Sequence, residues 1–159
     1  INTSKMDDDE MAGIRSTKIG FVFQSFHLIP RLTAFENIEM PMILSGIHPK
    51  ERSNMVNFAL ERVGLTDRSD HRPEQLSGGQ RQRVAIARSI VMEPDVLLAD
   101  EPTGNLDSTS GKEVVKLIEE LNLSGLTLIV VTHDREMGER SNRLIRLKDG
   151  KVITDQSNT

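Results

Sequence analysis

The stretch LSGGQRQRVAIARSIVMEPDVLLADEPTGNLD, from Leu76 to Asp107, decides the fold of this chain. It opens with Ser77, Gly78 and Gly79, directly before a pattern that is typical of a helix. Backbone N–H groups and the positive end of the helix dipole meet at such a start, so it can receive an anion. The apolar run VLLA, residues 96–99, predicts a strand that is buried on both faces.

Two carboxylates, Asp100 and Glu101, come directly after this strand. We expect Asp100 to face Mg²⁺ through water, because Mg²⁺ keeps much of its hydration in proteins. Glu101 is the candidate general base that polarises a water attacking a phosphate. The pair alone also fits a solvated turn, and the LSGGQ that precedes it favours the functional interpretation. The stretch therefore indicates a site for nucleotide phosphate and Mg²⁺.

The composition favours a single soluble globular domain. The chain has 159 residues, of which 36% are hydrophobic and 28% charged. A net charge of -4 gives no electrostatic case for nucleic-acid binding. The absence of cysteine excludes disulfides and thiolate metal sites. No apolar run approaches the ~20 residues that span a bilayer, so a membrane role would require a separate partner.

The first half of the chain predicts a polar surface segment, a strand and two helices. We expect a loop and a short helix over residues 1–15, and a strand over 19–23. Thr33 and Glu36 predict a capping box that starts a helix, which Pro41 interrupts. A further helix begins at Pro49, ends at Gly64 and has one apolar face, formed by Met55, Val56, Ala59, Leu60 and Val63.

After the central stretch, the sequence predicts one more helix, a central strand and a hairpin. Ser110 and Glu113 predict a second capping box, with the apolar face of its helix at Val114, Leu117, Ile118 and Leu121. The β-branched run over residues 127–132 predicts a central strand. Asp149-Gly150 favours a type I′ turn between strands at 143–148 and 151–153.

Helices that alternate with buried strands indicate an α/β domain with a mainly parallel sheet. Functional groups in such sheets gather beyond the carboxyl ends of the strands. We therefore expect Gln24, the Asp100-Glu101 pair and His133 to meet at one edge, where they could bind Mg²⁺ and orient a water. Taken singly, His133 is also typical of a structural strand end, Gln24 of a surface amide and Asp107 of a helix N-cap.

Together these residues resemble the nucleotide-binding subunit of an ABC transporter, nearly from end to end. Residues 76–80 are similar to its signature motif, and 96–100 to its Walker B strand. The resemblance implies that Glu101 is the catalytic glutamate. It also implies the identity of the remaining motifs: Gln24 as the Q-loop glutamine, 104–107 as the D-loop and His133 as the switch histidine.

The resemblance further implies ATP and Mg²⁺ as cofactors, and a head-to-tail dimer with a second ATPase subunit. ATP would lie between the Walker A loop of one subunit and the signature motif of the other. Asp100 and Gln24 would bind the Mg²⁺ ion through water molecules. The nucleotide-binding residues would be Ser77, Gly78, Gly79, Gln80 and Asp107.

The implied fold is a P-loop NTPase-type ABC ATPase core with a mainly parallel sheet and a helical signature subdomain. Residues 25–75 would form the helical subdomain and coupling region, and 76–159 the signature helix and the remaining motifs. No G-x-x-x-x-G-K-[ST] occurs, because Gly111-Lys112 and Gly150-Lys151 both lack the rest of that pattern. Since the chain also starts without Met, we expect an N-terminal truncation that removes the first strands and the Walker A loop. We expect the chain alone to bind ATP weakly or not at all.

By the same resemblance, residues from Phe26 to Gly46 would contact a membrane-spanning permease subunit at the inner face of the cell membrane. Apolar side chains in this segment fit either that interface or packing inside the helical subdomain: Phe26, Leu28, Ile29 and Leu32. The amino-acid sequences of this segment and of DEPTGNLDS, residues 100–108, are most similar to the lipoprotein-releasing, macrolide-exporter and cell-division branch of the family.

Two other classes share part of this pattern. ATPases of DNA repair and chromosome maintenance typically insert a long coiled coil between the Q-loop and the signature motif. Here the segment between Gln24 and Leu76 is compact and lacks heptads, and no basic face indicates a nucleic-acid partner. A non-catalytic regulatory module is the other alternative, and intact Glu101 and His133 argue against it.

Overall fold

The computed structural model of the protein describes residues 3–158. Helices separate the three parallel strands along the chain, as the sequence predicts for an α/β domain, and three α-helices lie between the first and second strands. The helices are α1 (Asp8–Lys18), α2 (Ala34–Leu44), α3 (Pro49–Arg62), α4 (Gly78–Ile90), α5 (Ser108–Leu123) and α6 (Arg135–Glu139). The strands are β1 (Ile19–Phe23), β2 (Val96–Asp100), β3 (Thr127–Val131), β4 (Arg143–Lys148) and β5 (Lys151–Ser157).

The predicted polar segment at the start of the chain contains α1. Asp7 caps this helix by accepting the backbone N–H of Glu10 at 2.8 Å. The helix continues to Lys18 and leads directly into β1. The prediction also covered Ile1 and Asn2, which lie outside the described residues.

Within residues 3–158, β1, β2 and β3 form a parallel sheet with β2 in the middle. The register aligns Phe23 with Asp100, and Asp100 with Val131. The carboxyl ends of the strands therefore share one edge, which positions the candidate site.

The strands β4 and β5 form a separate antiparallel hairpin, as predicted. Its turn residues, Asp149 and Gly150, have φ angles of 50° and 74°. These positive values are the ones that an Asp-Gly turn supplies at low cost. The second strand continues to Ser157, beyond the predicted end at Ile153.

Two predictions about the strands are wrong. Leu97 and Ala99 of β2 are buried, but Leu98 on the opposite face is only half-buried. In the described part of the chain, β3 is an outer strand of the sheet rather than a central one, and Ile129 and Val131 are exposed. The opposite face of the sheet is exposed because the core, with α4 and α5, packs against one face. The strand β3 is outermost because, among the described residues, it pairs only with β2.

Pro41 does not interrupt α2, contrary to the prediction. Thr33 and Glu36 form the predicted capping box. The backbone N–H of Glu36 donates to the hydroxyl of Thr33 at 3.2 Å, and the backbone N–H of Thr33 donates to the carboxylate of Glu36 at 2.7 Å. The helix continues past the proline, although proline cannot donate the usual backbone hydrogen bond. Ile38 and Met42 are fully buried on either side of it, so tertiary packing maintains the helix.

Helix α3 follows the prediction closely. It starts at Pro49, where the lack of an N–H is harmless, and it ends just before Gly64. Gly64 has a φ of 67°, a left-handed conformation that glycine adopts without a steric penalty. Val56 and Leu60 on the predicted apolar face are fully buried.

Helix α5 begins earlier than predicted, so the capping box at Ser110 and Glu113 is wrong. Asp107 is the N-cap, and its Oδ1 accepts the backbone N–H groups of Thr109 at 3.1 Å and Ser110 at 3.0 Å. The carboxylate of Glu113 instead pairs with Arg83 on α4 at 2.7 Å. Asp107 and Ser110 are both residues that can cap a helix, and the structure starts α5 after Asp107.

Candidate functional site

The candidate site lies where the three parallel strands end. Gln24 follows β1, Glu101 follows β2, and His133 comes two residues after β3. Asp100 is the last residue of β2, in register with Phe23. The structure therefore brings the ends of these predicted segments to one edge of the sheet.

Glu101 is held by three donors from the end of β3. Its Oε1 accepts the backbone N–H of His133 at 2.8 Å and lies 2.6 Å from the ring Nδ1 of the same residue. Its Oε2 accepts the hydroxyl of Thr132 at 3.2 Å. A carboxylate offers about four lone-pair positions, so residues 3–158 leave one position on Oε2 that could accept a hydrogen bond from a water.

The contact with Glu101 also indicates how the imidazole of His133 is protonated. A carboxylate only accepts hydrogen bonds, so Nδ1 must carry a proton for the contact to be favourable. The ring is 84% exposed, whereas Glu101 is 21% exposed. Nε2 therefore remains available to solvent or to a ligand while Nδ1 orients the carboxylate.

Glu101 has a left-handed backbone conformation, with a φ of 45°. Such a conformation costs about 1–2 kcal/mol for a residue with a Cβ atom. Its backbone N–H donates to the carbonyl of Val131 at 2.9 Å, which extends the pairing of β2 and β3 by one residue. The strained turn points the side chain across the sheet edge towards His133. Strain of this kind is frequent at functional sites.

The side chain of Gln24 packs against residues 104–107, the predicted D-loop. Its Nε2 donates to Oδ1 of Asn105 at 3.3 Å, and Nδ2 of Asn105 donates to the backbone carbonyl of Gln24 at 3.0 Å. Gly104 leaves room for this arrangement, since a Cβ there would lie 2.6 Å from Gln24 Nε2. The two loops are therefore in direct contact within one chain.

The start of α4, the predicted anion site, lies beside the predicted D-loop. Ser77 is the N-cap, and it forms a capping box with Gln80 at distances of 3.2 Å and 2.9 Å. Gly79 lies against α5, where a Cβ would come within 2.9 Å of the Ser110 side chain. A Cβ at Gly78 would lie 3.3 Å from the side chain of Leu106. The glycines thus allow the helix start to approach the predicted D-loop closely.

Asp107 caps α5 in this structure, which was the alternative to a nucleotide contact. The hydrogen bonds from the backbone and hydroxyl of Ser110, followed by that from the Thr109 backbone, hold the pKa of Asp107 below its ordinary value. The carboxylate is therefore ionised at neutral pH. Its nucleotide-binding role stays a prediction.

The residues present fit Mg²⁺ only as part of a larger ligand set. Asp100 is exposed at the sheet edge, and the amide of Gln24 is also exposed. Within residues 3–158, no three His, Cys, Asp or Glu side chains lie close enough to hold a metal ion together. Mg²⁺ usually takes one or two carboxylates, with waters and phosphate oxygens completing its octahedron. The exposed carboxylate of Asp100 could therefore be one ligand of a Mg²⁺ ion whose other ligands are waters and phosphate oxygens.

The predicted permease segment, residues 26–46, contains both half-buried and exposed apolar side chains. Its apolar side chains at 26, 28, 29 and 32 are half-buried, and Leu28 packs against the core. Asn37 is buried and binds both backbone groups of Ile29, at 2.8 Å and 3.2 Å. The exposed apolar side chains of the segment are Ile43 and Leu44, at 44% and 82%.

Sequence reasoning missed Gln82 and Arg88, two polar side chains on α4 that contact the segment around Gln24. Gln82 is fully buried, and Arg88 donates to the carbonyls of Phe26 and His27. One signal was present, because Gln82 lies three residues after Gly79 and four before Ile86 on a buried helix face.

A match to the family described as ABC transporter covers residues 1–104. The chain belongs to this family, and its fold is that of an ABC ATPase cassette. The dimeric ATP-binding cassette MJ0796, in a post-hydrolysis state with ADP and Pi, superimposes with a TM-score of 0.84 at 45% identity. That match covers 99% of this chain and 70% of the cassette.

Curated relatives show the same family. An uncharacterised ABC transporter ATP-binding protein of Thermotoga maritima is 53% identical over 94% of this chain and 64% of its own length. The macrolide export ATP-binding/permease protein MacB of Rhodopseudomonas palustris is 50% identical over 98% of this chain and 24% of its own length. The chain thus spans less than two thirds of these relatives. None of the helices within residues 3–158 combines the length and apolar character needed to cross a membrane.

Proposed function

We propose that this chain is part of the ATP-binding and ATP-hydrolysing subunit that energises an ABC-type membrane transporter or a related transmembrane complex. The observation that carries the proposal is the carboxylate of Glu101, held by His133 and Thr132 at the carboxyl edge of the sheet. Family membership supports ATP as the nucleotide.

In the proposed reaction, Glu101 accepts a proton from the attacking water at its free Oε2 position. His133 would orient this carboxylate through Nδ1, and its exposed side chain would leave Nε2 available to the phosphate. Gln24 helps to place the water and the metal. Asp100 and Gln24 would hold Mg²⁺ through water, and the ion would neutralise charge on the phosphate oxygens.

We propose a head-to-tail dimer in which residues 77–80 of each subunit face the ATP held by the other. Ser77 at the start of α4 is exposed, and Gly78 and Gln80 are half-buried, so a partner could bring an anion to this helix start. The dimeric structures of MJ0796 support such an assembly. The same proposal predicts that the 159-residue chain alone lacks activity, since it has no phosphate-loop motif.

The permease partner would dock on the segment from Phe26 to Gly46, at the cytoplasmic face of the membrane. Exposed Ile43 and Leu44 offer apolar contact area within it. MacB, a macrolide export protein that combines ATP-binding and permease parts by its name, supports a partner of this kind and an efflux role. A lipoprotein-release role is the other transport type that we propose from the resemblance. The compact α2–α3 segment gives no support to a DNA-repair ATPase, in which a coiled coil would stand there.

The direct test is ATP hydrolysis by the full-length protein that carries this sequence, with and without Mg²⁺. Hydrolysis that requires Mg²⁺ and falls in Glu101→Gln supports the proposal. Hydrolysis that is unaffected by Glu101→Gln would remove Glu101 from the base role. A full-length wild-type protein that does not hydrolyse ATP would favour the non-catalytic alternative.

A further inference from the structure

The buried side chain of Gln82 connects α4 to both halves of the candidate site. Its exposed fraction is 0%. Nε2 donates to the backbone carbonyl of Pro102 at 2.7 Å and lies 3.4 Å from that of Phe23. Pro102 directly follows Glu101, and Phe23 directly precedes Gln24. One amide group therefore binds the backbone next to two proposed catalytic residues.

The chemistry of these contacts requires a donor at Gln82. Both partners are carbonyl oxygens, so turning the amide over would place Oε1 against two acceptors. Oε1 itself has no hydrogen-bond partner within residues 3–158. A buried acceptor without a partner is costly, which offsets part of what the two donated bonds contribute to stability. Stability alone is therefore a weak reason for an amide at this position.

Other side chains of α4 hold the segment that follows Gln24. Arg88 donates to the carbonyls of Phe26 at 2.9 Å and His27 at 2.6 Å, and these two residues have φ angles of 53° and 48°. The guanidinium of Arg81 lies 5.3 Å from the centre of the Phe26 ring. Arg81 and Arg88 of α4 therefore contact the segment after Gln24, and Gln82 of the same helix also binds the turn after β2.

We propose that Gln82 is a positioning residue that holds Gln24 and Glu101 in a fixed relation to the start of α4. The inference rests on the proposed function, in which residues 77–80 at that start face the ATP of the partner subunit. A nucleotide bound there would act on α4, and Gln82 would carry that effect to the catalytic edge of its own subunit. Gln82 itself touches neither the nucleotide nor the water.

The experiment compares kcat and KM for ATP in the full-length protein and in three variants. Gln82→Met removes the donor at similar volume, and Gln82→Glu keeps the shape but replaces the donor with an acceptor. Val84→Ala is the matched control, because Val84 is also fully buried on α4 and its side chain is apolar. Circular dichroism melts show which variants are folded and by how much each is destabilised.

We expect both Gln82 variants to lower kcat by about 10- to 100-fold, because small misplacement of catalytic groups has effects of that size. KM for ATP should change little, since Gln82 does not contact the nucleotide. Val84→Ala should keep the wild-type kcat despite a lower melting temperature.

Three outcomes would overturn the inference. A wild-type kcat in either folded Gln82 variant removes the positioning role. A loss of kcat in Val84→Ala as large as in Gln82→Met shows that destabilisation alone explains the effect. A full-length wild-type protein without ATP hydrolysis overturns the proposed function, and this inference with it.

Discussion

Nδ1 of His133 lies 2.6 Å from Oε1 of Glu101, and the backbone N–H of His133 binds the same oxygen at 2.8 Å. One residue thus presents two donors to one carboxylate oxygen. The contact depends on the left-handed turn at Glu101, which carries the side chain towards the end of β3. Among the described residues it leaves Oε2 with one hydrogen-bond partner, the hydroxyl of Thr132.

The first prediction concerns the imidazole in this contact. His133→Ala keeps the backbone donor but removes Nδ1, so Glu101 loses part of its orientation. We expect kcat for ATP hydrolysis to fall by about 100-fold, the size of effect associated with a positioned acid–base group. His48→Ala is the control, since His48 is an exposed N-cap of α3 away from the sheet edge. An unchanged kcat in His133→Ala would contradict the orienting role.

The second prediction concerns the contact between Gln24 and the predicted D-loop. In Gly104→Ala, the new Cβ would lie 2.6 Å from Gln24 Nε2 and 3.0 Å from its Cδ, so the flexible amide must move. We expect kcat to fall by about 10-fold with little change in melting temperature. Gly111→Ala is the matched control, because its Cβ would meet its nearest neighbour at an ordinary 3.8 Å. Equal kcat values in the two variants would show that the position of Gln24 does not matter for turnover.

The third prediction is a pH dependence of stability at the start of α5. The folded pKa of Asp107 is lowered, so its stabilising effect is fully present above the unfolded value of about 3.9 and is lost as the pH falls through the folded value. Asp107→Ala should therefore melt below the wild type at neutral pH, and the gap should shrink in acid. Asp107→Asn, which still caps the helix, should remain close to the wild type at neutral pH. A gap in Asp107→Ala that stays constant in acid would contradict this explanation.

The fourth prediction concerns packing between β1 and α4. A Cβ at Gly20 would overlap the backbone carbonyl oxygen of Ser89 and lie 3.0 Å from Leu97 Cδ1. Gly20→Ala should therefore lower the free energy of unfolding by about 1–3 kcal/mol, the usual cost of overpacking. Gly13→Ala is the control, since its Cβ would meet no atom within 4 Å among the described residues. Urea titration of both variants measures the difference, and equal stabilities would show that β1 can shift without cost.

Features set by neighbouring residues were predicted well from the sequence. The capping box at Thr33, the first turn at Pro49 and the Asp149-Gly150 hairpin depend on contacts within a few positions, and all are confirmed. The edge that gathers Gln24 and Glu101 was also predicted, because parallel strands end together.

Features set by tertiary packing were not predicted. The outer position of β3 depends on strand order, which its β-branched run does not encode. The survival of α2 through Pro41 depends on the burial of Ile38 and Met42. The role of Gln82 depends on carbonyls that are 59 and 20 residues away in the sequence. A local pattern carries no information about contacts at such separations.

We propose that Glu101 is the catalytic base of an ABC ATPase. The most direct measurement is the ATPase rate of the full-length protein with Glu101→Gln, together with its ATP-dependent dimerisation by light scattering. We predict that turnover falls by about 10²–10⁴-fold while ATP still induces the dimer, because the amide keeps the shape but cannot take a proton. Near-wild-type turnover in Glu101→Gln would contradict the account.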